Sequence, residues 1–360
     1  MSRARTLADQ FNSDGDLALT PVASVNAGQI GGRRNLILNG AMQIYQRGAG
    51  TLANGQFGPD RFAFGTANLD NLVGTLTQDS DAPDNFSSSL KITVTTAETS
   101  IASDEYAYLH QRIEAQNLQG LGYGTSSAKQ LTLSFWVKSS VTGTFAVGLY
   151  KGDNTTQIHN KTYTINSAGT WEYKTVTFSA NTLAGGAIDN DNGTGLWVNW
   201  HLGAGSDLKG TSSSSGWISY VVSSWADGQD TNAVLTTTNA TWQITGVQLE
   251  VGSQASDFEQ RSYGEELSLC QRYFYKRPAD GAGEDDLVIT SDYNNSTSNF
   301  WMSFYYPQEM RARPSYGNAS GWVTQSPLII NEGVRWVAFN FTNGGAYLDR
   351  STSFDLDAEL

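Results

Sequence analysis

Leu131-Thr132-Leu133-Ser134-Phe135-Trp136-Val137-Lys138 decides the fold. Side chains of an extended chain alternate between two faces, so Leu131, Leu133, Phe135 and Val137 share one face and the residues between them share the other. The same period of two recurs at Leu90, Ile92 and Val94, at Phe145, Val147 and Leu149 after the turn Val141-Thr142-Gly143, and at Leu196, Val198, Trp200 and Leu202. Each run is bounded by Gly, Asn, Asp or Ser, the residues that build turns. Many alternating strands without helices between them predict an all-β chain, an antiparallel jelly-roll β-sandwich.

Composition agrees. Aromatic residues make up 11% of the 360 residues, charged residues only 16%, and there are 37 glycines, a mixture that suits short strands and tight turns better than a helical bundle. No repeat of 20 to 50 residues is found, which argues against propellers and solenoids. The formal charge of -13 divides into +1 over residues 1–34, -8 over 35–262 and -6 over 263–360. No part is basic enough to expect attraction to nucleic acid or to an anionic membrane. Met1 to Phe11 lacks the apolar core of a secretory signal, and no window has the length of a membrane span, so neither secretion nor membrane insertion is expected. With Cys270 the single cysteine, an intrachain disulfide and a cysteine-based zinc site are excluded, and synthesis in a reducing cytosol is expected.

The chain reads as three parts. Residues 1–34 hold a possible short helix at Arg5 to Phe11 and then a Gly-rich stretch, and read as an N-terminal docking arm. Residues 35–262 carry the sandwich. Ser262 and Glu265 form a capping box ahead of Leu267, Cys270 and Phe274, predicting a short helix that joins the sandwich to a second, C-terminal β domain over 263–360. Strand signals return there at Phe300 to Tyr306, Val334 to Phe341 and Phe354 to Leu360.

Residues for catalysis are scarce. His110, His159 and His201 lack metal-ligand or triad spacing, and no nucleophile elbow, phosphate loop or dinucleotide fingerprint occurs. Asp153, Glu172, Asp189, Asp191, Asp285 and Asp286 could in principle supply a pair of glycosidase carboxylates, yet each sits in or beside a polar turn, where Asp is common for local hydrogen bonding. Asp189-Asn190-Asp191-Asn192-Gly193 begins like a calcium loop, but Thr194 and Trp200 stand where an EF-hand needs Gly and Glu, and a hairpin turn is the better reading. A metal site is left open, no catalytic residue is assigned, and no cofactor is called for. Aromatic rings that could stack on sugars are more suggestive: Trp217, Tyr220 and Trp225 after the Ser-rich loop, and Trp301, Tyr305, Tyr306 and Trp322 in the last part. The competing reading makes such rings core or interface anchors.

Ile244-Thr245-Gly246-Val247-Gln248-Leu249-Glu250-Val251-Gly252-Ser253, then Phe258 to Leu267, then Cys270-Gln271-Arg272-Tyr273-Phe274, closely resembles the domain junction of bacteriophage tail fibre proteins. Asn35-Leu36-Ile37-Leu38-Asn39-Gly40-Ala41-Met42-Gln43, with Gln46-Arg47-Gly48 and Asp60-Arg61-Phe62, resembles the opening strand of their jelly roll, and Leu133 to Ser139 one of its inner strands. Pro307, Met310-Arg311, Pro314 and Asp357-Ala358-Glu359-Leu360 resemble the distal domain of such fibres. The resemblance covers about residues 35 to 360. It implies a virion protein made in the host bacterial cytoplasm, with a jelly roll similar to carbohydrate-binding modules. It further implies a homotrimer, a tail or adaptor ring met by residues 1–34, and bacterial surface polysaccharide or lipopolysaccharide as the target of a distal, receptor-facing end. Related modules often bind calcium through an acid after the opening Asn-Gly; here Gln43 takes that place. Two other roles stay open: a purely structural head-fibre, capsid-decoration or tail adaptor or nozzle protein, and a tailspike polysaccharide depolymerase.

Overall fold

The computed structural model describes residues 24–25, 28–29, 33–210, 214–277, 299–320, 328–342 and 353–360. The expected helix at Arg5 to Phe11, Asp285, Asp286 and Trp322 lie outside them. β1 (Ser24–Val25) and β2 (Gly28–Gln29) form a small ladder. The sandwich strands follow: β3 (Gly50–Thr51), β4 (Gln56–Phe57), β5 (Ala63–Ala67), β6 (Val73–Asp79), β7 (Ser89–Thr96) and β8 (Tyr106–Glu114). Then come β9 (Leu131–Ser139), β10 (Gly143–Lys151), β11 (Gln157–Ile165), β12 (Glu172–Phe178), β13 (Thr194–Ala204), β14 (Ile218–Ser219) and β15 (Thr241–Val251).

These strands make two antiparallel sheets, one of seven in the order β14-β11-β10-β13-β8-β5-β4 and one of six in the order β12-β9-β15-β7-β6-β3. The chain crosses between the two sheets repeatedly, after β3, β5, β7, β8, β9, β11, β12 and β14, which makes the architecture a jelly-roll sandwich. The alternation read from the sequence faces inward. Leu90, Ile92, Val94, Leu131, Leu133, Phe135, Val137, Phe145, Val147, Leu149, Leu196, Val198, Trp200 and Leu202 are all fully buried in one core, and each aliphatic side chain among them contributes about 1.5–3 kcal/mol by burial.

Two local expectations fail for identifiable reasons. The segment from Asn35 to Gln43 is not a strand. Ile37, Met42 and Ile44 are buried, and Leu36 N and the Gly40 carbonyl still bond to the β15 backbone (2.9 Å each), but side chains take the N–H groups between them: Gln111 Oε1 accepts from Leu38 N (2.8 Å), Asn35 Oδ1 from Ile37 N (3.0 Å) and Glu266 Oε1 from Asn39 N (2.6 Å). Gly40 approaches β15 so closely that a Cβ would lie 2.1 Å from the Val247 carbonyl oxygen, which requires glycine. The calcium-like stretch at Asp189 is not a hairpin either, because β12 and β13 belong to different sheets and the loop crosses between them.

Beyond a single turn, α1 (Ala233–Thr236), the helix α2 (Tyr263–Gln271) begins where the capping box places it. Ser262 Oγ accepts from Glu265 N (3.3 Å), but the Glu265 carboxylate pairs with Arg33 (3.1 Å) instead of returning to Ser262, so half of the box forms. The remaining strands are β16 (Phe274–Arg277), β17 (Asn299–Tyr305), β18 (Ser315–Ser320), β19 (Leu328–Glu332), β20 (Trp336–Thr342) and β21 (Ser353–Asp357), in two three-stranded sheets ordered β16-β21-β18 and β17-β20-β19.

Arginines join these strands to the sandwich. Arg272 makes a bidentate pair with the fully buried Glu114 (2.8 and 2.9 Å). Arg61 pairs with Glu359 and lies 3.4 Å from the Tyr273 ring centroid. Arg47 is held between Phe57 and Phe274 and pairs with Asp357 and Glu359. Among the described residues no helix is long and apolar enough to cross a membrane.

Candidate functional site

The outer face of the six-stranded sheet carries a cleft of about 740 Å³, lined among others by Phe86, Trp136, Tyr173, Phe258, Asp84 and Asp257. Its first wall follows from strand alternation. Phe135 and Val137 are fully buried, so Trp136 between them points outward. Trp136 stands opposite Tyr173 on the edge strand β12. Their ring centroids are 5.3 Å apart at 48°, and Tyr173 is 46% exposed.

The second wall comes from two loops. The turn from Pro83 to Phe86 is closed by Phe86 N donating to the Pro83 carbonyl (3.1 Å), with Asn85 at φ 71°. Phe86 meets Phe258 edge-on at 5.1 Å. Phe258 follows β15 in a loop pinned by Gln248, whose Oε1 accepts from Glu259 N (2.8 Å), while Glu259 Oε2 accepts from Arg34 N (2.8 Å) and Asn35 N (2.6 Å).

The floor is a β-bulge. The β15–β9 register slips between Thr245 and Gln248, leaving an extra residue on β15 as bulges do. Gly246 there has φ 62°, and a Cβ would lie 2.7 Å from Phe86 Cζ and 3.1 Å from Trp136 Cδ1. Glycine is thus required for both backbone and space. The bulge lets the two aromatic walls stand over one floor, with Asn85, Ser134 and Gln260 beside them. Flat rings beside amide, hydroxyl and carboxylate groups can stack on the C–H face of a sugar while binding its hydroxyls.

The aromatics singled out in the sequence lie elsewhere. Trp217 is 7% exposed and its indole N–H donates to the Ser179 carbonyl (2.8 Å); Trp225 is 6% exposed. Both are packing anchors and present no free ring face, a correction to their reading as sugar platforms. Polar neighbours in sequence do not reveal that this loop folds down onto the seven-stranded sheet. Tyr220 is half-buried against Tyr150 and Trp225. Tyr305 is 73% exposed, Tyr306 is buried, and Trp301 belongs to β17. The structure does not bring Tyr220, Tyr305 or Tyr306 into the cleft of Trp136 and Tyr173. Trp136 was the one cleft residue open to discovery from alternation, as an outward Trp on an otherwise core-forming strand.

The outer face of the seven-stranded sheet is aromatic too, but covered. Tyr108, His110, Trp197, Asn199 and His201 project from β8 and β13, and residues 206–210 and 214–229 pack Leu208, Trp225 and Ala226 against that side. His201 and Asn199 are fully buried. Among the described residues, both His201 nitrogens, both Asn199 amide atoms, His110 Nδ1 and Trp225 Nε1 have no hydrogen-bond partner. Burial pushes the His201 imidazole down to about 3, and burial together with Arg112 and Arg61 does the same to His110.

Asp153, Asp189, Asp191 and Glu172 serve local structure. Asp153 accepts from Asn154 N and Asp189 N, Asp189 accepts from the Asn154 amide, and Asp191 accepts from Gly193 N. Burial acts to raise the Glu172 carboxyl, but Lys174, Ser167 and Asn166 outweigh it and hold it at about 2, opposite to what a general acid needs. Among the described residues no cluster of three metal-ligating side chains occurs. A second cleft, of about 400 Å³, is lined by Arg47, Phe57, Phe274, Asp355 and Asp357, and Arg47 there is already committed to Asp357 and Glu359.

No family model matches the chain, and no curated protein matches it. Among solved structures, the chain is similar to the enzymatically active domain of bacteriophage CBA120 tailspike protein 4, at 13% identity and a TM-score of 0.33, over 60% of this chain and 21% of that one. The match thus spans about a fifth of the tailspike chain. It is also similar to a family 11 carbohydrate-binding module from Clostridium thermocellum in complex with a β-1,3-1,4-mixed-linked tetrasaccharide, at 10% identity and a TM-score of 0.28, over 58% of this chain and 98% of that one. A third is TmCBM61 in complex with β-1,4-galactotriose, at 8% identity and a TM-score of 0.28, over 61% and 99%.

Proposed function

We propose that this chain is a tail fibre protein of a bacteriophage virion that attaches the particle to bacterial surface glycans without cleaving them. The observation that carries the reading is the open cleft in which Trp136, Tyr173, Phe86 and Phe258 stand over the Gly246 bulge among hydrogen-bonding groups. Exposed aromatic rings on a sheet face cost solvation unless something covers them, and a sugar ring is a fitting cover. The sequence resemblance supplies the virion context. A non-catalytic role accords with carboxylates spent on turns, each accepting backbone or amide N–H groups.

In this reading the fibre is a homotrimer whose three weak sites gain strength from one another, because the second and third contacts become intramolecular. Residues 1–34 dock on a tail or adaptor ring, and the C-terminal part lies distally. The test is binding of fluorescent protein to intact permissive cells and to cells stripped of surface polysaccharide, with mass determined in the same buffer. Saturable binding by a trimer, lost on stripping and weakened at least tenfold by Trp136→Ala with Tyr173→Ala, is expected. A folded protein that binds no permissive cell overturns the reading and favours a structural component of head or tail. Shortening of the polysaccharide during the assay would replace attachment by depolymerisation.

A further inference from the structure

We propose that the cleft takes neutral or amine-bearing saccharides and rejects acidic ones, an inference that rests on the glycan-binding reading of the same site. Charge at the cleft is one-sided. Asp84 and Asp257 line it, both are exposed, and neither has an ion pair among the described residues. The residues lining the cleft include no lysine or arginine.

The cations close by on the same sheet face are engaged. Lys138, one outward position from Trp136, is bound to Asp81 (2.6 Å), which also accepts from the Trp171 indole (3.1 Å). Lys91 is bound to Asp79 (2.8 Å). Arg34 donates to Ser256 Oγ (3.0 Å) and to the Asp257 carbonyl (3.4 Å) of the neighbouring loop; its charge has no carboxylate partner among the described residues, but its guanidinium does not line the cleft.

The ligand chemistry follows. Sugar hydroxyls donate to the two carboxylates in charge-assisted bonds, and Asn85 and Gln260 can both donate and accept. An amine on the sugar would add ionic attraction. A uronate or phosphate would meet two like charges with no guanidinium or ammonium lining the cleft to offset them. At contact distances in water each such pair weakens binding about fivefold, and salt screens the effect beyond roughly 8 Å at physiological ionic strength. The net charge of -8 over residues 35–262 acts in the same direction on approach.

The experiment is an array of purified bacterial polysaccharides, grouped as neutral, amine-bearing, and uronate- or phosphate-bearing. It is probed with the full chain, with Asp84→Asn/Asp257→Asn, and with Trp136→Ala, at low and high salt. The wild-type chain is expected on neutral or amine-bearing polymers. The double amide variant should gain about 25-fold in acidic-to-neutral preference at low salt, and less at high salt. A wild-type preference for acidic polymers, or an unchanged ratio in the double variant, overturns the inference while leaving glycan binding intact. Absence of binding to every polymer by the folded chain, or binding that Trp136→Ala does not touch, removes the reading of the site and the inference with it.

Discussion

The two outer faces of the sandwich are built from the same kinds of residue and come to opposite ends. On the six-stranded sheet, Trp136 and Tyr173 face outward with Tyr173 nearly half exposed. On the seven-stranded sheet, Tyr108 and Trp225 are buried, with Tyr106, Tyr150 and Trp197 half-buried beside them, and His201 and Asn199 are sealed from solvent. What separates a binding platform from a packed layer is the presence of a cover, here the stretches carrying Leu208, Trp225 and Ala226, and not the number of rings. The covered face bears buried polar atoms without partners, the open face a bulge that holds space free. Burial and satisfaction of polar groups therefore distinguish the faces better than composition does.

Acid should separate them most. His110 and His201 are held near 3 in the folded chain against about 6.5 unfolded. Between these values the unfolded state binds more protons. The stability that the two neutral imidazoles contribute is complete above about pH 6.5 and falls away as pH drops toward 3, by about 4–5 kcal/mol for each. Urea unfolding at stepped pH should show this slope, and His201→Gln should remove about half of it; a flat wild-type profile between pH 6.5 and 4 would contradict the sealed face.

Truncation should come next. Trp225→Ala removes a ring touching Tyr106, Tyr108, Tyr150, His201 and Tyr220, and a loss of about 3–5 kcal/mol is expected by calorimetry. Trp136→Ala on the open face should cost under about 1.5 kcal/mol yet weaken glycan binding. Equal destabilisation by the two would erase the distinction. Gly246→Ala, which places a methyl at a positive φ and against Phe86 and Trp136, should cost about 1–3 kcal/mol and lower affinity without altering the seven-stranded face. The smallest effect belongs to Asn199→Leu. With neither amide atom partnered, its loss should be neutral or slightly stabilising, within about 1 kcal/mol, whereas a loss above about 2 kcal/mol would reveal a hydrogen-bond network at that position.

Much of the fold was legible because it rests on local periodicity: the runs at Leu90, Leu131, Phe145 and Leu196 are the core they were read to be. The segment after Asn35 misled because apolar alternation reports burial and not backbone pairing, and Gln111, Asn35 and Glu266 supply bonds that no local pattern reveals. The residues carrying the family resemblance are largely structural. Asn35, Gly40, Gln248, Glu259, Arg261 and Glu266 bind one another or β15. The cleft stayed mostly hidden because Phe86 and Phe258 are far apart in sequence and meet through a bulge. Trp217 and Trp225 drew notice for their polar neighbours, which say nothing of what the loop packs against.

The most direct measurement is a crystal structure of the chain with an oligosaccharide cut from a polymer it binds. Sugar density is expected over Trp136 and Tyr173, within hydrogen-bond reach of Asp84 or Asp257. Density on the seven-stranded face or on the C-terminal strands, with the Trp136 cleft empty, would contradict that placement.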